Sequence, residues 1–229
     1  MEKHIKLVKK MPAARKKIAR QWKRKLEKET GLRKTNVGVY GSRKKAYEKF
    51  SNDAYIRKIL FEGDLLSGCK GGFMPVPFRG GRRNVVFIDS GLRGRKREQA
   101  AAHEIGHALY EEAQLKYHRI YSKGITQSCI SEGYAISAQI EGFLSFKGET
   151  KKNLQKAFKY GKNQPAEKNL SPEWLPGMKL AMLILQAAPY NPKKRSEIRA
   201  AIARTKFKSF RECMNFVGNN FLKKKAVKK

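Results

Sequence analysis

Ala100-Ala101-Ala102-His103-Glu104-Ile105-Gly106-His107-Ala108-Leu109-Tyr110 is the stretch on which the reading of this chain turns. Small, apolar and aromatic residues fill every position except three, and those three are His, Glu and His in an HExxH pattern. On a helix the histidines stand at i and i+4, one turn apart on one face. Two imidazoles so placed can hold a divalent metal ion. The glutamate between them points about 100° away and can face a water instead of ligating.

Working outward, the helix is expected from Arg97 to about Leu115. Before it, Asn84-Val85-Val86-Phe87-Ile88-Asp89 has four consecutive apolar residues, β-branched and aromatic, between a Gly-Gly turn and Ser90-Gly91. It is the best strand in the chain. After it, Ser131 to about Phe146 reads as a second helix with Ser131 as N-cap.

Two histidines do not complete a catalytic site; a third protein ligand is needed, with the fourth position left to water. An HExxHxxGxxH continuation is excluded, because Tyr110 and Ala113 stand where glycine and histidine would be required. Two ways to complete the set remain, His118 and Glu132. Glu132-Gly133-Tyr134-Ala135 opens a helix directly after a loop, and the residues between it and His107 suffice for a helix end, a turn and a return. Glu141 is its rival; nine further residues place it on the opposite side of that helix, so only one of the two can face the metal, and Glu132 has the better local signature. Glu111 shares the histidine face and can act as a partner to a ligating histidine.

The arrangement resembles the gluzincin metallopeptidases, in which an HExxH helix pairs with a glutamate helix carrying an E-x-x-A signature. The resemblance covers roughly residues 84–146. It implies an α+β fold with a zincin-like metallopeptidase core, a small sheet plus the HExxH helix and the glutamate helix. It also implies an edge strand beside the cleft that holds an extended peptide, a part that Asn84–Asp89 would take. One Zn2+ per chain on His103, His107 and Glu132 follows, with Glu104 as general base for peptide-bond hydrolysis in a protein or peptide substrate. Candidates for the residue that steadies the oxyanion are Tyr134, His118, Tyr160 and Tyr190. Ile136 stands where some gluzincins place an acid that orients a ligating histidine, so that acceptor must come from elsewhere. With His118 as third ligand, the chain would instead be similar to the SprT-like proteases that act on DNA-crosslinked proteins.

The charge adds a partner. The chain carries 52 basic and 19 acidic residues, net +33. Residues 1–60 hold 20 basic and 5 acidic residues, residues 61–100 hold 8 and 4, residues 101–150 hold 4 and 6, and residues 151–229 hold 20 and 4. A slightly acidic middle is thus enclosed by basic flanks, which should bind DNA or RNA by counterion release. Arg79, Arg82, Arg83, Arg93, Arg95, Lys96 and Arg97 form the clusters nearest the HExxH helix. Without a helix-turn-helix or finger context, they suggest phosphate contact without base reading. The competing class is a basic nucleic-acid-binding or virion-type structural protein with an inactive zincin scaffold, which shares the flanks but not the chemistry.

Residues 13–29 read as a basic amphipathic helix with Ile18, Trp22 and Leu26 inward and Gly31 as C-terminal cap. Thr35–Tyr40 reads as a short strand, and 43–50 and 52–61 as helices. Gly63–Gly81 reads as turns and short strands, since Pro75 and Pro77 lie inside it. Ser171-Pro172-Glu173 and Asn191-Pro192 each open a helix, the second running to about Arg204, and Ser209–Val217 is a further helix. The organisation expected is a basic, mostly helical extension over 1–60, the catalytic core over 61–150, a helical C-terminal subdomain over 151–222 and a basic tail over 223–229. Cys69, Cys129 and Cys213 are scattered and odd in number, which fits free thiols in a reducing compartment. The longest apolar stretch, Leu180–Ala188, is too short to span a bilayer, and the N-terminus lacks a secretory core. An intracellular place, cytoplasmic or nucleoprotein-associated, is expected.

Overall fold

A computed structural model describes residues 13–32, 35, 37–40, 71–78, 81–88, 91–119, 124–162 and 171–222. The helices expected over 43–50 and 52–61, the 223–229 tail, Cys69 and Arg79 lie outside these residues. The described chain is mostly helical with one small mixed sheet, an α+β arrangement.

Helix α1 (Ala13–Thr30) ends at Gly31, whose φ of +71° lets the Leu32 amide donate back to the Glu27 carbonyl at 3.0 Å. Trp22 and Leu26 are buried, and Ile18 packs partly against the same core. The strands are β1 (Val37–Tyr40), β2 (Gly71–Phe78) and β3 (Gly81–Ile88), in the order β1-β3-β2. β1 runs parallel to β3 and β2 antiparallel to it.

β3 is therefore the central strand, not the edge strand expected beside a cleft. The physical reason lies in its composition. Val85, Val86, Phe87 and Ile88 are all buried, and a run that is apolar on both faces belongs inside a sheet. β2 supplies an edge among the described residues. Pro75 and Pro77 have no N–H to give β3, so they fit where the backbone nitrogen points outward. By the two-residue period Gly71 and Phe73 fall in the same register set as Pro75 and Pro77.

Helix α2 (Gly94–His118) packs antiparallel on α3 (Ile125–Lys147). α3 begins six residues before Ser131, with Gly124 at the N-cap position and no side-chain cap. Ser131 thus lies inside the helix. The polar run Thr126-Gln127-Ser128 in the opening turns hides this start from a periodicity reading. Helix α4 (Lys151–Lys162) buries Leu154 and Ala157. Helix α5 (Trp174–Ala187) starts after Ser171–Glu173, which form a turn and give no side-chain cap. Helix α6 (Pro192–Arg204) opens with Asn191 Oδ1 accepting from the Lys194 amide at 2.9 Å. Helix α7 (Phe210–Phe221) opens with Ser209 Oγ accepting from the Glu212 amide at 3.2 Å.

One apolar core joins α1, β3, α2, α3, α5, α6 and α7, and includes Leu26, Val86, Ile105, Leu109, Ile184, Ile202 and Val217. Each large aliphatic side chain fully buried there contributes about 1.5–3 kcal/mol. A second, smaller cluster sets Ile136, Ile140 and Leu144 of α3 against Leu154 of α4 and Met178 of α5. No described helix is long and apolar enough to cross a membrane. Cys129 and Cys213 are buried free thiols.

A seam of buried charge ties the ends of the chain to α3. Arg199 of α6 donates through Nε and Nη2 to both carboxylate oxygens of Glu29 on α1, at 2.9 and 2.8 Å, and through Nη1 to Ser137 Oγ at 3.3 Å. Arg195 donates to Glu141 at 2.7 Å and also pairs with Glu149. Lys25 lies 3.5 Å from Glu141. Three cations face three carboxylates, and Glu141 is committed to this seam, on the far side of α3 from Glu132, as its nine-residue spacing requires.

Candidate metal centre

The α2–α3 crossing places the site. An added Cβ at Gly106 would stand 3.0 Å from the Ala135 Cα, so the two helices meet there with no room for a side chain. Small residues at the crossing bring the His103–His107 face of α2 against the end of the second turn of α3. The His103 and His107 Nε2 atoms are 3.2 Å apart. Glu132 Oε2 is 3.2 Å from His107 Nε2, and Glu132 Oε1 is 3.7 Å from His103 Nε2.

These separations fit a metal. Donors at about 2.0–2.2 Å around a tetrahedral ion lie about 3.3–3.6 Å from one another, and the donor set of two imidazoles and one carboxylate is of the kind zinc takes. Among the described residues, His103, His107 and Glu132 form the one such group able to hold a metal ion, with ligand atoms within 4.8 Å of one another. Burial, and then the neighbouring His107, lower His103 to about 4, so its imidazole stays neutral near pH 7 with a lone pair to offer.

The surroundings orient the ligands. His107 Nδ1 lies 2.9 Å from Ser131 Oγ; in the tautomer with the proton on Nδ1, His107 donates to the hydroxyl and its Nε2 lone pair faces Glu132. Ser131 thus fills the acceptor role left open by Ile136. Glu111, the sequence candidate for it, is buried within α2. Gln139 and the Ala135 backbone lie beside the His103 ring. Phe73 of β2 stacks against His107 with ring centroids 6.0 Å apart and planes 14° apart, so the β2 edge runs past the site.

Glu104 leaves α2 beside this group without joining it. Burial, with repulsion from Glu132 second, pushes its carboxyl up to about 8. A carboxylate that feels Glu132 but ligates nothing is where a proton carrier for the site should stand.

Helix α5 holds Glu132 from behind. A Cβ at Gly177 would lie 2.7 Å from both Cβ and Cγ of Glu132 and 2.8 Å from the Gly133 amide nitrogen. The last of these is backbone and cannot swing aside. Gly177→Ala is therefore expected to displace the Glu132 carboxylate and weaken metal affinity by at least about tenfold, the cost of disturbing a ligand's support. Titration with a competing chelator, alongside circular dichroism to confirm helical content, measures it.

Other sequence candidates are not brought here. His118 is the last residue of α2, eleven residues beyond His107, or roughly 16 Å along the axis. It lies near Lys206 and the Arg204 backbone, and burial lowers its pKa. Tyr134 is fully buried beside Tyr110, ring centroids 5.7 Å apart, with Glu29 and Arg199 as its charged neighbours. Two residues past Glu132 on a helix means about 200° around it, which turns Tyr134 into the core and away from any substrate. Tyr190 is exposed in the turn before α6, and the Tyr160 side chain lies outside the described residues.

Of the basic clusters, Arg93, Arg95 and Lys96 are exposed at the start of α2. Arg97 Nε donates to the Leu92 carbonyl at 2.7 Å. The Arg95 guanidinium lies over the Phe143 ring, 5.5 Å from its centroid. Arg82 and Arg83 lie on β3 opposite Pro77 and Val76.

Comparison of this chain with protein-family models, with curated protein sequences and with solved structures returns no match.

Proposed function

We propose that this chain is a zinc-dependent metallopeptidase of the gluzincin kind, with a zincin-like core and basic helical flanks. The observation that carries the reading is the convergence of His103, His107 and Glu132, from two helices, on one point beside a carboxylate that does not ligate. Bound there, zinc would supply Lewis-acid polarisation of a peptide carbonyl and a water acidified toward neutrality. His103 and His107 offer neutral nitrogens, and Glu132 brings one negative charge. Beside the charge of a bound zinc Glu104 would be brought back to its ionised form, in which it would take a proton from the attacking water and return it to the departing amine nitrogen. β2, which passes the site at Phe73, lies alongside the extended peptide. The test is hydrolysis of an unstructured protein such as reduced casein by the full chain. Activity lost to a chelator and restored by stoichiometric zinc is expected; equal cleavage in excess chelator would remove the reading.

We further propose that the basic flanks recruit the enzyme to nucleic acid or nucleoprotein. Support comes from an open cleft of about 520 Å³ between α1 and α6, to which Lys25, Lys28, Lys193 and Arg204 contribute. Of the two carboxylates that line it, Glu29 is already paired with Arg199, so Glu197 is the negative charge set against these cations. Affinity for DNA is expected to fall steeply with salt, with a logarithmic slope of about −0.9 per phosphate contacted. A slope near zero would sink the recruitment and leave the peptidase untouched.

A further inference from the structure

On α2, Arg95, Gln99 and His103 follow one another at i, i+4 and i+8, so one helix face runs from the metal centre back to the helix start. On α3, Glu132, Gln139 and Phe143 share the facing side. Between them lies a second cavity, of about 240 Å³. Ile140 and Phe143 give it an apolar floor, Gln99 and Gln139 line it with amides, and Arg95 and Lys156 bring two cations to it. Gln139 also stands beside His103, so one side chain touches both the cavity and a metal ligand.

No described residue lining this cavity is acidic. The nearby carboxylates are engaged elsewhere: Glu98 accepts from Trp22 Nε1, Glu141 from Arg195, and Glu149 pairs with Arg195. Two cations, two amides and an apolar floor suit an anion carried on a short aliphatic stem. An inorganic phosphate has the charge but no carbon to lay against Phe143 and Ile140. The position fits a peptide as well. Arg95 lies about 12 Å and Gln99 about 6 Å along the helix from His103, a span an extended peptide covers in two to four residues.

We infer that this cavity is a specificity subsite for an acidic side chain of the peptide substrate, glutamate above all. The carboxylate sits between Arg95 and Lys156, its methylenes lie on Phe143, and the residue falls two to four positions from the bond that is cut. The inference rests on the peptidase reading and names the substrate class for the same site. A strongly cationic enzyme also draws acidic segments toward itself before contact.

The experiment uses fluorescein-labelled peptides of one alanine-rich sequence that carry a single Glu or a single Gln at each position in turn. They are titrated against the full-length, zinc-loaded Glu104→Gln protein, with and without Arg95→Gln, and the same sequences are digested by wild type. In one register the Glu peptide should bind about tenfold tighter than its Gln twin, the strength of one charged contact. Arg95→Gln should bring the two within about twofold, and wild type should cut two to four residues from that Glu. Equal affinity of the twins in every register overturns the subsite, as does a preference that survives both Arg95→Gln and Lys156→Gln. Single-stranded DNA that binds in an Arg95-dependent way, while the twins bind alike, overturns it too and assigns the cavity to phosphate. A Glu preference in binding with no peptide cut by wild type upholds the cavity and removes the peptidase reading; cleavage without that preference does the reverse.

Discussion

Glu104→Gln is expected to leave metal content at the wild-type level and to lower kcat by about 10²–10⁴-fold. Glutamine keeps the size of the side chain and its place on α2 but cannot accept a proton. His103, His107 and Glu132 are untouched by the change, so the metal has no reason to leave. Glutamine also replaces a carboxyl that burial, and then Glu132, make costly to ionise. The protein should therefore fold at least as well as wild type, and the loss will sit in chemistry alone. The checks are kcat on a quenched fluorescent peptide and elemental analysis of the same preparation. Retained activity would mean that the proton is carried by another group, and the mechanism proposed for this site would fall.

Arg199→Ala is expected to cost about 3–5 kcal/mol of folding stability. The guanidinium is fully buried and meets Glu29 by two parallel hydrogen bonds, with Ser137 as a third contact. Burial works against the charge on Arg199, but Glu29, and then Glu141, outweigh it and raise its pKa. Removing one partner strips the buried Glu29 carboxylate of both guanidinium hydrogen bonds. The double change Arg199→Met with Glu29→Leu should recover most of the loss, because it removes both charges. Urea unfolding followed by circular dichroism measures both.

The same seam sets a pH response. Burial pushes Glu141 up, but Arg199, Arg195 and Lys25 together hold it below its ordinary value of 4.5. A carboxylate depressed on folding contributes stability that is fully present above the unfolded value and lost as pH falls through the folded one. The wild type should therefore weaken below about pH 4.5, and Glu141→Gln should flatten that limb while lowering stability at neutral pH.

The parts of this fold legible in the sequence are those fixed by local chemistry. α1 shows in the spacing of Ile18, Trp22 and Leu26, and α6 and α7 show in the caps Asn191 and Ser209. The His103–His107 pair follows from helix period alone. Nine residues turn a helix halfway round, so one of Glu132 and Glu141 could face the histidines, and the Glu-Gly-Tyr-Ala signature favours Glu132; the structure sets the two on opposite faces. What stayed hidden was set by contacts across the chain. β2 carries two prolines and two glycines and reads only as short strands and turns, yet it pairs along its length with β3, an arrangement its prolines allow when they point outward. That pairing makes β3 a central strand. Gly177, Ser131 and Gln139 bear on the ligands only through helix crossings, and no spacing along one helix reports a neighbour's position. Ser131 read as a cap because a serine before an apolar run looks like one, while the true start at Gly124 has no side-chain signal. Arg95 read as a phosphate contact because a cluster of like charges carries no direction; its place over Phe143 is a tertiary fact.

The central claim is that two helices bring His103, His107 and Glu132 together to hold one zinc ion. Elemental mass spectrometry of the purified full chain, of Glu132→Ala and of His118→Ala tests it most directly. One zinc per chain in wild type and His118→Ala, with none retained by Glu132→Ala, is the predicted result. Zinc lost with His118 and kept without Glu132, or no zinc in reconstituted wild type, would contradict it.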